Sequence, residues 1–171
     1  MMGNLLRRAR SGVLVTAAAI LMSAGLVAGP APVASADPRL DFTGTTISGA
    51  PFDGASLQGK PAVLWFWTPW CPFCNQEAPT VSRVAAANPD VTFVGVAGRS
   101  EPAAMQEFVA KYNLNFTNLD DADGAIWARF DVPWQPAYLF VEPDGTSTFV
   151  NNPTSAISEQ DLSARVAALT A

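Results

Sequence analysis

There is no histidine anywhere in this chain of 171 residues. That absence removes the Cys–His and Ser–His nucleophilic pairs and every imidazole metal ligand. Cysteine is almost as scarce, with two residues in all. Two thiolates, with neither a second pair nor an imidazole, fall short of the four ligands of a structural zinc site. Charge is thin, and positive charge thinner: 10 Lys and Arg stand against 15 Asp and Glu, for a net −5. A chain with that balance has no electrostatic basis for binding nucleic acid or an anionic membrane surface. Internal repeats are missing, and no linker marks off a second domain.

What is present begins with a segment that reads as an address. Arg7, Arg8 and Arg10 form a basic start with no acid near them, Val13 to Val27 is apolar, and Ala34-Ser35-Ala36 fits a small-residue cleavage site. The expectation is a signal peptide over 1–36 and a mature domain over 37–171. An uncleaved membrane anchor is the alternative, against which Gly12, Gly25, Gly29 and the cleavage site argue. No cysteine follows the apolar stretch, which excludes a lipid anchor there. The Arg7-Arg8 pair raises twin-arginine export, but Leu6 before it and Ala9-Arg10 after it fit that pattern poorly, so twin-arginine and general export both stay open. The mature chain is long enough for one domain with its own core. It is also three charges more acidic than the whole, because only arginines leave with the leader.

The two cysteines sit three apart, in Trp70-Cys71-Pro72-Phe73-Cys74. Before them Val63-Leu64-Trp65-Phe66-Trp67 is apolar throughout and reads as a strand buried on both faces. Thr68-Pro69 ends it. Pro72 suits the first turn of a helix, where a missing N–H costs nothing. Cys71 is therefore expected at the N-cap, among unpaired N–H groups that favour a thiolate, the reactive form of sulfur. A structural bridge across so short a loop would restrict the unfolded chain very little. The spacing favours a redox pair over a structural disulfide or a metal site.

The remaining elements follow from periodicity and turn chemistry. Leu40-Asp41-Phe42 and Thr45-Thr46-Ile47, with the turn Ser48-Gly49, predict an N-terminal hairpin. A helix is expected from Cys71 to about Ala87, kinked at Pro79. A second buried strand spans Val91 to Ala97. A helix capped by Ser100 carries Met105, Phe108, Val109 and Tyr112 on one face. A short strand covers Phe116 to Leu119, and a small helix covers Ala125 to Phe130. Tyr138 to Val141 and Thr146 to Val150 form an antiparallel pair around Pro143-Asp144-Gly145. The last helix starts at Ser158, whose Asp161 three residues on resembles a capping box. The order ββ, βαβα, ββα suits an α/β fold, a mixed central sheet with helices on both faces.

On these residues the chain resembles the thioredoxin-like fold. More narrowly it is similar to the extracytoplasmic TlpA/ResA/DsbE branch and its secreted mycobacterial DsbE-like members. The resemblance rests on Gly59-Lys60-Pro61, Phe66-Trp67, Trp70-Cys71-x-x-Cys74, Pro79 and Val132-x-x-x-Pro136, and runs over about 38–170. It implies a thiol-disulfide oxidoreductase with no cofactor beyond the Cys71–Cys74 couple. Cys71 would be the surface nucleophile and Cys74 the buried resolving thiol. Pro136 would be the cis-proline facing them, and the backbone of Gln135 would pair with a bound peptide strand. Pro72 and Phe73 would tune the pair. Glu77, six residues after Cys71, would tune the Cys74 proton, unless it is a solvated helix charge. Trp70 and Trp134 would form an apolar rim for unfolded peptide.

Two departures bear on direction. Thioredoxin keeps a buried Asp in the core strand; Trp65 stands there. DsbA places a histidine second between its cysteines; Phe73 stands there. The expected role is an oxidase giving its disulfide to exported cysteine-containing proteins, recharged by a quinone-linked membrane thiol oxidase. The alternatives are a reductant of the cytochrome c maturation type with a membrane electron donor, and a secreted binding module with an inert disulfide. A monomer is expected.

Two other patterns lead elsewhere. Thr68-x-x-Cys71 fits a peroxiredoxin motif, but the upstream proline would fall at Leu64. Asp121-x-Asp123-Gly124 looks like part of a calcium loop, yet Leu119 and Phe130 occupy ligand positions, so it reads as a turn and helix cap. The leader reading has a direct check. Intact mass of the exported protein should correspond to a chain starting at Asp37; a mass that retains residues 1–36 contradicts it.

Overall fold

A computed structural model describes residues 36–171. The leader features before Ala36 lie outside the described residues. The elements are β1 (Thr43–Thr46), β2 (Pro51–Asp53), β3 (Ala62–Trp67), α1 (Pro72–Ala87), β4 (Thr92–Gly98), α2 (Pro102–Tyr112), β5 (Thr117–Asp121), α3 (Ala125–Arg129), β6 (Ala137–Val141), β7 (Ser147–Asn151) and α4 (Glu159–Ala168).

The strands form one mixed sheet in the order β2-β1-β5-β4-β3-β6-β7. Strands β3, β4 and β5 run parallel, whereas β1, β2, β6 and β7 join antiparallel. Every residue of β3 is buried, as an apolar run without alternation requires. Its side chains still divide by parity. Val63, Trp65 and Trp67 pack with residues of α1, α2 and α4. Ala62, Leu64 and Phe66 pack with Ile126 and Trp127 of α3 and with Leu40 and Leu57. A large aromatic side chain buries about 150–250 Å². At about 25 cal/mol per Å² each contributes several kcal/mol, and Trp65, Trp67 and Trp127 all lie in the core.

The hairpin forms as β1 against β2, but Leu40-Asp41-Phe42 is not part of it. Pro38–Leu40 is a 3-10 turn with Asp37 as its cap and proline in its first turn. The Asp37 carboxylate accepts the Arg39 N–H at 2.9 Å and drives the turn. Ser100 does not cap α2. Glu101 holds the N-cap position without a side-chain bond, because Pro102 is the residue that fits the first helical position. Helix α1 continues through Pro79 to Ala87. At α4, Ser158 Oγ accepts the Asp161 N–H at 3.1 Å, the cap expected there. The acidic turn before α3 is a helix cap too. Asp121 accepts the N–H groups of Ile126 and Trp127 at 2.8 and 2.9 Å.

Gly98, at the end of β4, lies against the Trp127 indole. A Cβ there would be 2.6 Å from its Cε2. Trp127 cannot retreat without breaking its Nε1 bond to the Val96 carbonyl, 3.1 Å. Gly98→Ala is expected to lower stability by about 1–3 kcal/mol through overpacking. Urea unfolding checks this, and an unchanged midpoint would show that the indole yields freely.

Candidate active site

The end of β3 feeds straight into the cysteine loop. Cys71 is the N-cap of α1 with Pro72 in its first turn, and its Sγ accepts the Cys74 N–H at 3.2 Å. A proline in that turn removes a competing donor, so the cap sulfur meets the N–H of the third residue. Both cysteines are free thiols, and Cys74 is fully buried. Cys71 is 3% exposed. It is the more accessible of the two, yet it is not the surface residue the sequence suggested. Its side chain turns back over the first helical turn to reach the Cys74 N–H, and this tucks the sulfur under the loop. Pro72 is exposed and Phe73 half-buried against the helix-side core.

The loop before β6 completes the surround. The Gln135–Pro136 peptide bond is cis. The register pairs Ala137 with Phe66, so its continuation sets Pro136 level with Trp67, the last residue of β3. Pro136 is buried and Gln135 half-buried. Trp70 and Trp134 are 57% and 61% exposed, the largest apolar side chains open to solvent among the described residues. The Trp70 Nε1 donates to the Arg99 carbonyl at 3.1 Å. Arg99 has φ 52°, and its guanidinium lies 4.9 Å from the centre of a Trp127 ring. That contact secures the loop that holds Trp70.

Beneath the cysteines lies Glu77, 1% exposed. It is no solvated helix charge. One turn of α1 carries it inward on the face of Cys74 and Ala78. Its Oε1 accepts from Trp65 Nε1 and from the Tyr138 hydroxyl, each at 2.7 Å. Its Oε2 accepts the Ile157 N–H at 3.0 Å. Burial raises its pKa to about 7 against the pull of those three donors. Cys74 is pushed far up, first by burial, then by its hydrogen bond with Cys71 and by the charges of Cys71 and Glu77. Tyr138 is also raised, by burial and by the Glu77 charge. Replacement of the core-strand Asp by Trp65 therefore does not leave the core without a carboxyl group. The helix supplies one, and Trp65 binds it. Nothing in the chain's local pattern marks Tyr138 or Ile157 as its partners, since both are brought in from distant segments.

This arrangement can exchange thiols and disulfides. One sulfur sits at a helix N-terminus, just under the loop. A second sulfur lies one turn deeper, next to a carboxyl group able to take or return a proton near neutrality. Among the described residues no group of three His, Cys, Asp or Glu side chains is placed to hold a metal.

Residues 36–156 match the AhpC/TSA family. The chain belongs to that family. It is 70% identical over 159 residues to the soluble secreted antigen MPT53 of Mycobacterium tuberculosis, covering 93% of this chain and 91% of the relative. A crystal structure of a secreted M. tuberculosis disulfide oxidoreductase homologous to E. coli DsbE superposes with TM-score 0.77 and 76% identity. It covers 78% of this chain and 100% of that one. MTB DsbF, in mixed oxidised and reduced forms, superposes with TM-score 0.75 and 52% identity, covering 79% and 99%. The protein is thus a DsbE-like thiol-disulfide oxidoreductase with the thioredoxin-like fold, and the inert-scaffold reading is set aside.

The buried Glu77 makes stability depend on pH. In the unfolded chain it ionises near 4.5, whereas the folded protein holds the proton to about 7. Its raised pKa means that stability falls as pH rises through that window, by about 3 kcal/mol at most at 1.36 kcal/mol per unit. In Glu77→Gln that slope should flatten between about pH 5 and 7.5 in denaturant midpoints. The baseline should also drop, because an amide N–H then faces the Ile157 N–H. A slope that survives the substitution would assign it to another group.

Proposed function

We propose that the protein is exported and acts as an oxidase, passing the Cys71–Cys74 disulfide to cysteine-containing proteins outside the cytoplasm. The observation that carries the direction is the Cys74 N–H held on the Cys71 sulfur at 3.2 Å, at the head of a 16-residue helix. Those N–H groups and the helix dipole favour negative charge on the sulfur, so they stabilise the reduced pair. A couple whose reduced form is stabilised is a stronger oxidant. The secreted character of the 70%-identical relative supports export.

In this reading a client thiolate attacks Sγ of Cys71. The S–S bond breaks and its electron pair leaves on Cys74, which takes a proton with Glu77 at hand. A second client thiolate then attacks the client sulfur of the mixed disulfide. Its electron pair returns to Cys71, and the client leaves oxidised. The dithiol is recharged by a membrane thiol oxidase of the quinone-linked kind. No cofactor beyond the two sulfurs is needed. No hydrogen bond among the described residues engages the main chain of Gln135, which supports its pairing with a client strand beside Pro136, between Trp70 and Trp134.

One observation favours the reverse direction. A buried carboxyl near Cys74 also serves a reductant, which must deprotonate Cys74 to close its own disulfide. The equilibrium potential in glutathione buffers, followed by tryptophan fluorescence, separates the two. The oxidase reading expects a value above about −200 mV, and a value near −270 mV or below makes the protein a reductant. Cys74→Ser should trap clients as mixed disulfides on Cys71, whereas Cys71→Ser should trap none.

A further inference from the structure

We infer that Asn75 is a positioning residue for disulfide exchange: its side-chain amide fixes the carbonyls of Pro69 and Cys71, the residues on either side of Trp70, and so aims the Cys71 sulfur. Asn75 follows Cys74 in the first turn of α1. Its Nδ2 donates to the Pro69 carbonyl at 2.8 Å and to the Cys71 carbonyl at 2.9 Å. Its Oδ1 accepts from the Tyr112 hydroxyl at 2.7 Å and from Lys111 Nζ at 3.4 Å. Both amide hydrogens and both lone pairs are engaged, which is all an asparagine can make. The partners also settle which way the amide points. Two carbonyls only accept, and an ammonium only donates.

The far end of this tether is firm. The Tyr112 ring packs edge-on against Phe108, with centroids 4.7 Å apart, and Lys111 Nζ lies 4.8 Å from its centre. Helix α2, which contributes nothing to the cysteine motif, therefore grips the active-site loop through one side chain.

The tether acts on the sulfur in two ways. The Cys71 carbonyl receives two donors from Asn75, its main-chain N–H at 3.0 Å and its Nδ2 at 2.9 Å. This holds Cys71 at φ −76°, ψ 121°, the conformation in which Sγ meets the Cys74 N–H. The second donor also offsets the negative end of the carbonyl dipole on the residue that bears the sulfur. The Lys111 ammonium acts in the same sense through the amide. Negative charge on Cys71 gains from both, and the uncharged disulfide gains far less. The tether thus stabilises the reduced pair over the disulfide, whichever way electrons run in the cell.

Asn75→Asp is close to isosteric and keeps an acceptor for Tyr112, but it replaces both donors to the carbonyls with an anion. Its equilibrium constant with glutathione should shift threefold or more toward the disulfide. Alkylation of the reduced protein by iodoacetamide at pH 7 should slow by a similar factor. Tyr112→Phe, which removes one support of Oδ1, should move both in the same direction by less. A folded Asn75→Asp protein with the parent's equilibrium constant overturns the proposal, even if its melting temperature has dropped. If that variant does not fold, Asn75→Ala and Tyr112→Phe decide it: a shift toward the disulfide supports the tether, and no shift overturns it. The parent's own potential tests the direction of electron flow; the ratio of variant to parent tests Asn75.

Discussion

A single carboxylate holds the redox end of this molecule together. Glu77 joins α1 to β3 through Trp65, to β6 through Tyr138 and to the segment before α4 through the Ile157 N–H. A buried carboxylate without partners would cost several kcal/mol and would neutralise itself. With three donors it sits near the balance point, protonated or not by small changes around pH 7. The same bonds that anchor the helix therefore hold a carboxyl group in the core, on the helix face that also carries Cys74. A stability that falls as pH rises is what this burial costs.

The architecture around it serves to place two sulfurs. Strand β3 is buried on both faces and its end cannot wander, so the cysteine loop starts from a fixed point. Three further grips act on that loop. The Arg99 carbonyl holds the Trp70 indole. Asn75 holds the Pro69 and Cys71 carbonyls. The turn into β6 brings Pro136 alongside. The result is a sulfur that is tucked in and hydrogen-bonded, with exposed Trp70 beside it and exposed Trp134 two residues before Pro136.

Much of this was legible in the residues, and for identifiable reasons. The apolar run 63–67, the proline after Cys71 and the lone cysteine pair are local signals, and each survives in the structure as β3, the start of α1 and the capped sulfur. The Ser158 cap and the acidic turn at Asp121 were equally local. Expectation and structure part where neighbouring signals compete. Leu40-Asp41-Phe42 has strand-like residues, but Asp37 and Pro38 impose a turn first. Ser100 is a good cap residue, but Pro102 sets where the helix begins.

Residue types and their spacing set which chemistry is available and where it sits: two sulfurs one helical turn apart, no imidazole, a core strand leading to them. These follow from residue type and short spacing, which need no distant partner to act. The state of that chemistry comes from the folded packing. Glu77 reads the same in sequence whether solvated or buried. Its fate depends on Trp65, Tyr138 and Ile157, 12, 61 and 80 residues away. Asn75 is an ordinary polar residue until Tyr112 and Lys111 fold across to it. Burial and long-range hydrogen bonds are set by which segments meet, and no local pattern encodes that meeting.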